Sequence, residues 1–155
     1  MSKFSRAPKQ IGDFGEDFVA YVLIRKGYEV AVVDHIGADL IAQRGKERIA
    51  VSVKTRMYKK KSGETRGFPI TKDHIEKLKD FSERFGLKPV IAHLVSIVDD
   101  QKIHLFMFRA KDRNKFDKVK LGFRLRYGKK HLNKTTQLPH LDYSVWSGET
   151  IGEKL

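Results

Sequence analysis

The chain has 155 residues, the size of one domain, and its 40% hydrophobic and 10% aromatic content can build a core, which argues against a disordered tail. It has no cysteine, which excludes disulfide scaffolds, thiolate metal sites and cysteine nucleophiles and fits an intracellular, cytoplasmic setting. Thirty-two Lys and Arg against nineteen Asp and Glu give a net charge of +13, which calls for a polyanionic partner, nucleic acid ahead of an anionic membrane.

The opening MSKFSRAPKQ lacks the apolar stretch of a secretory signal. The longest apolar run, Phe18 to Ile24, is far below the ~20 residues that span a bilayer, so a soluble protein is expected. After a basic leader, Gln10 to Lys26 reads as a helix stopped by Gly27, with Phe14, Phe18 and Val22 in one apolar row and Gly12, Val19 and Leu23 in another. Tyr28 to Val33 reads as a β-branched strand, His35 to Ala38 as a turn and Asp39 to Gln43 as a second strand. Arg44-Gly45-Lys46 makes a hairpin turn into a third strand, Glu47 to Thr55, followed by a basic loop over 56–67. Thr71 is the expected N-cap of a helix running to Phe85, with Leu78, Phe81 and Phe85 inward and Gly86 stopping it. Lys88 to Val98 and Lys102 to Arg109 read as apolar strands. Beyond Ala110 the apolar pattern weakens, and Arg109 to Lys134 carries eleven Lys/Arg against two Asp, with Phe116, Phe123 and Tyr127 interleaved. This order predicts an α/β fold, a mixed central sheet flanked by helices. One domain is expected overall: a leader over 1–9, a core over 10–109, and a basic C-terminal extension over 110–155 packed on or beside it.

Chemistry concentrates at Glu16, Asp39, Ser52 and Lys54. Glu16 shares the first helix's stripe with Gly12, Val19 and Leu23, so it is either a carboxylate at the stripe's exposed edge or a buried one that needs a cation, metal or proton. On the third strand Ile49, Val51 and Val53 alternate with Ala50, Ser52 and Lys54, which puts Ser52 and Lys54 on one face. The hairpin brings Asp39 to the Lys54 end. An Asp and a Lys at adjacent strand ends make either a surface ion pair or a metal ligand and a charge stabiliser for phosphodiester hydrolysis.

The stretch GADLIA…RIAVSVKTR resembles the core of the PD-(D/E)XK nuclease superfamily, in which an Asp and a [DE]-x-Lys follow one another across a hairpin. Glu16 stands where archaeal Holliday-junction resolvases place a helix-one Glu, and ITKDHIEKLKDFSERFGLKPVIAHLV is similar to the helix and strand that follow their active site. The resemblance covers roughly residues 10–108 and implies an αβββαβ, restriction-endonuclease-like core. One position departs from it: Ser52 stands where the middle acid is usual, and a hydroxyl is a weaker ligand for Mg²⁺ than a carboxylate. Glu47 falls on the opposite face, and Glu64 lies in the following loop. The resemblance implies Mg²⁺ (or Mn²⁺) held by Asp39, the Val53 carbonyl and Ser52, with Lys54 positioning water or neutralising phosphate charge and Glu16 binding an outer water or a second metal. It also implies a homodimer acting on DNA.

The basic groups are the expected nucleic-acid footprint: Arg56, Lys59, Lys60 and Lys61, then Arg124, Arg126, Lys129 and Lys130. The interleaved aromatics either stack on bases or belong to the core. His35, in the turn before Asp39, is placed to touch substrate, whereas His74, His93 and His104 lack ligand spacing, and no phosphate loop or nucleotide-cofactor motif is present. The expected function is a metal-dependent DNA endonuclease, similar to Holliday-junction resolvases. The alternatives are a non-catalytic nucleic-acid-binding protein on a degenerate nuclease fold and, behind both, a basic RNA-associated protein of unrelated fold.

Overall fold

The structure, a computed structural model, describes residues 6–58, 68–97, 101–120, 122–125, 135, 137 and 141–147. In chain order the elements are α1 (Ala7–Arg25), β1 (Glu29–His35), β2 (Ala38–Arg44), β3 (Glu47–Tyr58), β4 (Phe68–Thr71), α2 (Lys72–Phe85), β5 (Lys88–Ile97) and β6 (Lys102–Arg109). A 3-10 helix (Ala110–Lys115), β7 (Asp117–Val119), β8 (Gly122–Leu125) and β9 (Asp142–Trp146) complete it.

Six strands form the central sheet in the order β1-β2-β3-β5-β6-β9. Only β3 and β5 run parallel, because α2 intervenes between them and carries the chain back to the same end. The alternation read in β3 holds. Ile49, Val51 and Val53 face α1, whose Phe18, Val19, Val22 and Leu23 meet Leu40, Ala42, Ala92 and Leu94 there. Ala50 faces α2, whose Ile75, Leu78 and Phe81 pack on Ile91, Val95, Phe106 and Phe108. Each fully buried Val, Leu, Ile or Phe side chain among them contributes about 1.5–3 kcal/mol. A mixed α/β sheet flanked by helices is therefore the architecture, as expected.

The departures have physical causes. α1 begins earlier than Gln10, since Pro8 suits a helix's first turn. β3 runs on to Tyr58 because β5 pairs with it through Tyr58↔Ile97. Phe85 does not face inward: it is 50% exposed, and the buried positions of α2 are Ile75, Leu78, Phe81 and Ser82. Phe14, expected in an apolar row, is likewise exposed, two turns into α1. Past Ala110 the chain is more regular than its weak pattern indicates. β8 pairs with β4 and β7 in a second sheet, and β9 adds to the edge of the first by pairing with β6. Phe116 is buried against Phe108, with ring centroids 4.7 Å apart, and Phe123 packs on the same core. Those two aromatics are core. Among the described residues no helix is long and apolar enough to cross a membrane.

Candidate active site

Two close approaches bring the chemical residues together. Gly15 of α1 lies so near β3 that a Cβ there would stand 1.7 Å from Thr55 Oγ1, so only glycine lets the helix seat at this depth. Its neighbour Glu16 is thereby held on α1 beside the second half of β3. Gly37, at φ +113°, turns the chain between β1 and β2 against α2, where a Cβ would come within 2.5 Å of the Lys77 carbonyl oxygen. Two residues later Asp39 enters β2, and its Oδ2 accepts a hydrogen bond from the Val53 amide at 2.6 Å.

Asp39, Ser52 and Lys54 therefore sit together on adjacent strands, and Glu16, on α1, lies near enough to feel the charges of Asp39 and Lys54. Partial burial, then the charge of Asp39 and after it Asp13 and Asp17, push the Glu16 carboxyl above its ordinary range, with Lys54 opposing. Burial likewise holds Lys54 below its ordinary value. Arg56 adds to that lowering, whereas Asp39 and Glu16 counter it. The site thus holds two mutually repelling carboxylates and a half-buried ammonium.

Behind Lys54 lies a narrow pocket of about 10 Å³, lined by Ser52, Lys54, Thr71, His74 and His93 among apolar Pro69, Ile70, Ile75, Leu78 and Ile91. Ser52 is only 8% exposed. His93 stands opposite Lys54 in the parallel register and is 2% exposed. Its imidazole is pushed down to about 3, first by burial and then by Arg56, Lys54 and His74, so it is neutral at pH 7. His74 shares a hydrogen bond of 2.8 Å with the Thr71 hydroxyl, and burial and then Lys54 depress it too. Sequence reasoning passes over these two histidines. The signal that unites them is the β3–β5 register, which no local pattern encodes. His35, opposite Ala38 in the β1–β2 pair, has its ring 4.9 Å from that of Phe81 and its Nδ1 2.7 Å from the Ile36 carbonyl oxygen.

Val53, expected to lend a carbonyl, engages Asp39 through its amide. Arg56 is exposed beside the site, where its guanidinium donates to the Thr55 carbonyl at 2.9 Å. Arg124 is half-buried on β8, opposite Pro69 and Asp117. Lys59, Lys60, Lys61, Glu64, Arg126, Tyr127, Lys129 and Lys130 lie outside the described residues.

Among the described residues no three His, Asp or Glu side chains form a group able to hold a metal ion by themselves. Mg²⁺ does not need such a cage, being commonly held by one or two carboxylates, waters and a substrate phosphate. Glu16 and Asp39 fit that arrangement, since a cation between them would relieve the repulsion that raises Glu16.

No family model and no curated protein matches the chain. It is similar in structure to Hjc of Archaeoglobus fulgidus, a Holliday junction resolvase from an archaeal hyperthermophile. The TM-score is 0.53 at 19% identity, covering 74% of this chain and 83% of that one. The likeness shows a shared fold.

Proposed function

We propose that the chain is a metal-dependent endonuclease that hydrolyses DNA phosphodiester bonds, branched DNA in particular, and that it works as a homodimer. The observation that carries this reading is the gathering of Glu16 and Asp39 around Lys54 of β3, where Glu16 and Lys54 each feel the other's charge and that of Asp39. The structural likeness to a resolvase supports the choice of branched DNA.

A divalent cation supplies Lewis acidity at the scissile phosphate and acidifies water. Asp39, anchored through one oxygen by the Val53 amide, presents the other as a ligand. Glu16 supplies the second negative charge, and the Ser52 hydroxyl and Val53 carbonyl complete the set as neutral donors. Lys54 would offer a half-buried ammonium to the oxygen where charge develops, and partial burial reduces the water that screens it. Arg56, Lys59, Lys60 and Lys61, with Arg124, Arg126, Lys129 and Lys130, grip flanking phosphates. These contacts give affinity without sequence preference.

The test is incubation of labelled four-way, linear and single-stranded DNA with Mg²⁺, Mn²⁺ or EDTA. Metal-dependent cutting, fastest on the four-way substrate, is the expected result. Ser52 in the place of the middle acid favours a second reading, a nucleic-acid-binding protein on the same fold without catalysis. Tight binding with no cleavage under any metal would establish that reading in place of the first.

A further inference from the structure

At the start of β5, five residues before the Lys54 partner His93, lies a cleft of about 230 Å³, lined by Lys79, Lys88, Pro89, Arg109 and Lys111. Four separate elements supply its cations. Lys79 comes from α2, Lys88 opens β5, Arg109 closes β6, and Lys111 belongs to the 3-10 helix. All four are exposed, and no carboxylate lines the cleft. None of the four is ion-paired or hydrogen-bonded through its side chain among the described residues. Two acids, Glu47 and Asp142, line a neighbouring pocket with Arg109; Glu47, whose pKa Lys88 helps to lower, is already held by Tyr28 at 2.8 Å and Arg44 at 3.3 Å, and Asp142 by Lys26. Four like charges gathered around one concavity repel one another unless an anion occupies it.

We propose that this cleft is a second phosphate-binding site, which takes the sugar-phosphate backbone of nucleic acid away from the Asp39–Lys54 centre. The choice of nucleic acid as the phosphate source rests on the proposed function, while the cleft itself does not. Three of the four cations are lysines, point charges on flexible stems that suit a continuous polyanion better than one rigidly gripped phosphate. Their aliphatic stems account for the apolar walls.

The test is binding of a labelled duplex in EDTA over a salt series, so that cleavage plays no part. Lys79→Gln/Lys88→Gln/Lys111→Gln should flatten the slope of log affinity against log salt by about two to three units, at ~0.9 for each phosphate no longer neutralised. The matching Lys→Arg triple variant should keep the slope, and neutralising exposed Lys46, Lys102 and Lys118 should change it by less than one unit. An unchanged slope in the Gln variant, or equal flattening in the Lys46/Lys102/Lys118 control, would overturn the site. Calorimetry with inorganic tripolyphosphate separates the sources: loss of its binding in the Gln variant with an unchanged DNA slope would overturn the nucleic-acid assignment. Failure of the nuclease reading would show elsewhere, as no cleavage by the unmodified protein with Mn²⁺, and would leave these slopes untouched.

Discussion

Asp39 and Val53 are joined across the β2–β3 pair by a 2.6 Å hydrogen bond from a backbone amide to a carboxylate, one residue before Lys54. The carboxylate thus has a structural task as well as a chemical one, and substitutions separate the two. Asp39→Asn keeps an acceptor for the amide but removes the charge. Asp39→Ala removes both and should destabilise the fold by about 1.5–3 kcal/mol, the range for hydrogen bonds to charged groups. Urea denaturation should place Asn between wild type and Ala. Equal stability of all three would mean that the bond contributes nothing.

Ser52 bears on metal affinity. Ser52→Glu adds one hard anionic ligand beside Asp39 and should tighten Mn²⁺ binding by about tenfold, read by calorimetry. Because Ser52 is nearly buried beside Ile91, the variant should also lose some stability. Unchanged Mn²⁺ affinity in a folded variant would mean that position 52 does not face the cation.

Gly15 sets the depth of α1. Gly15→Ala forces a Cβ onto Thr55 Oγ1 and should cost about 1–3 kcal/mol as an overpacking change. Thr55→Ala in the same chain should recover part of that loss. Thermal melts check both, and wild-type stability for Gly15→Ala would show that the helix does not need this approach.

His93 predicts a pH dependence. Its folded-state value of about 3 lies below the ordinary 6.5, so between these values the unfolded chain binds a proton that the folded one refuses. Stability should therefore fall as pH drops through that window, by about 1.4 kcal/mol per unit from this group. His93→Phe, stacked on Phe108, should lose about 2 kcal/mol less than wild type between pH 7 and pH 5 in urea denaturation. Identical acid sensitivity would contradict the assignment.

Much of this site is legible in the sequence because its signals are local. The period-two alternation of β3 and a short hairpin suffice to put Ser52 and Lys54 on one face with Asp39 beside them. What stays hidden is non-local. The β3–β5 register alone brings His93 to Lys54, and the depth at which α1 seats depends on Gly15 meeting Thr55. β9 escapes notice because an edge strand is half exposed, with only Trp146 buried among Asp142–Trp146. Phe85 misleads because helical spacing from Phe81 does not reveal where the sheet beneath α2 ends.

Single-turnover cleavage of a labelled four-way DNA by wild type, Glu16→Gln, Asp39→Asn and the double variant is the most direct measurement of the central claim, that Glu16 and Asp39 serve one cation beside Lys54. With Mg²⁺ or Mn²⁺ each single variant should lose at least ~100-fold in rate, about 2.7 kcal/mol of barrier. The double variant should be little worse than either single one, because residues that act as a unit are not additive. Cutting at the wild-type rate by both single variants, or losses that multiply fully in the double one, would contradict it.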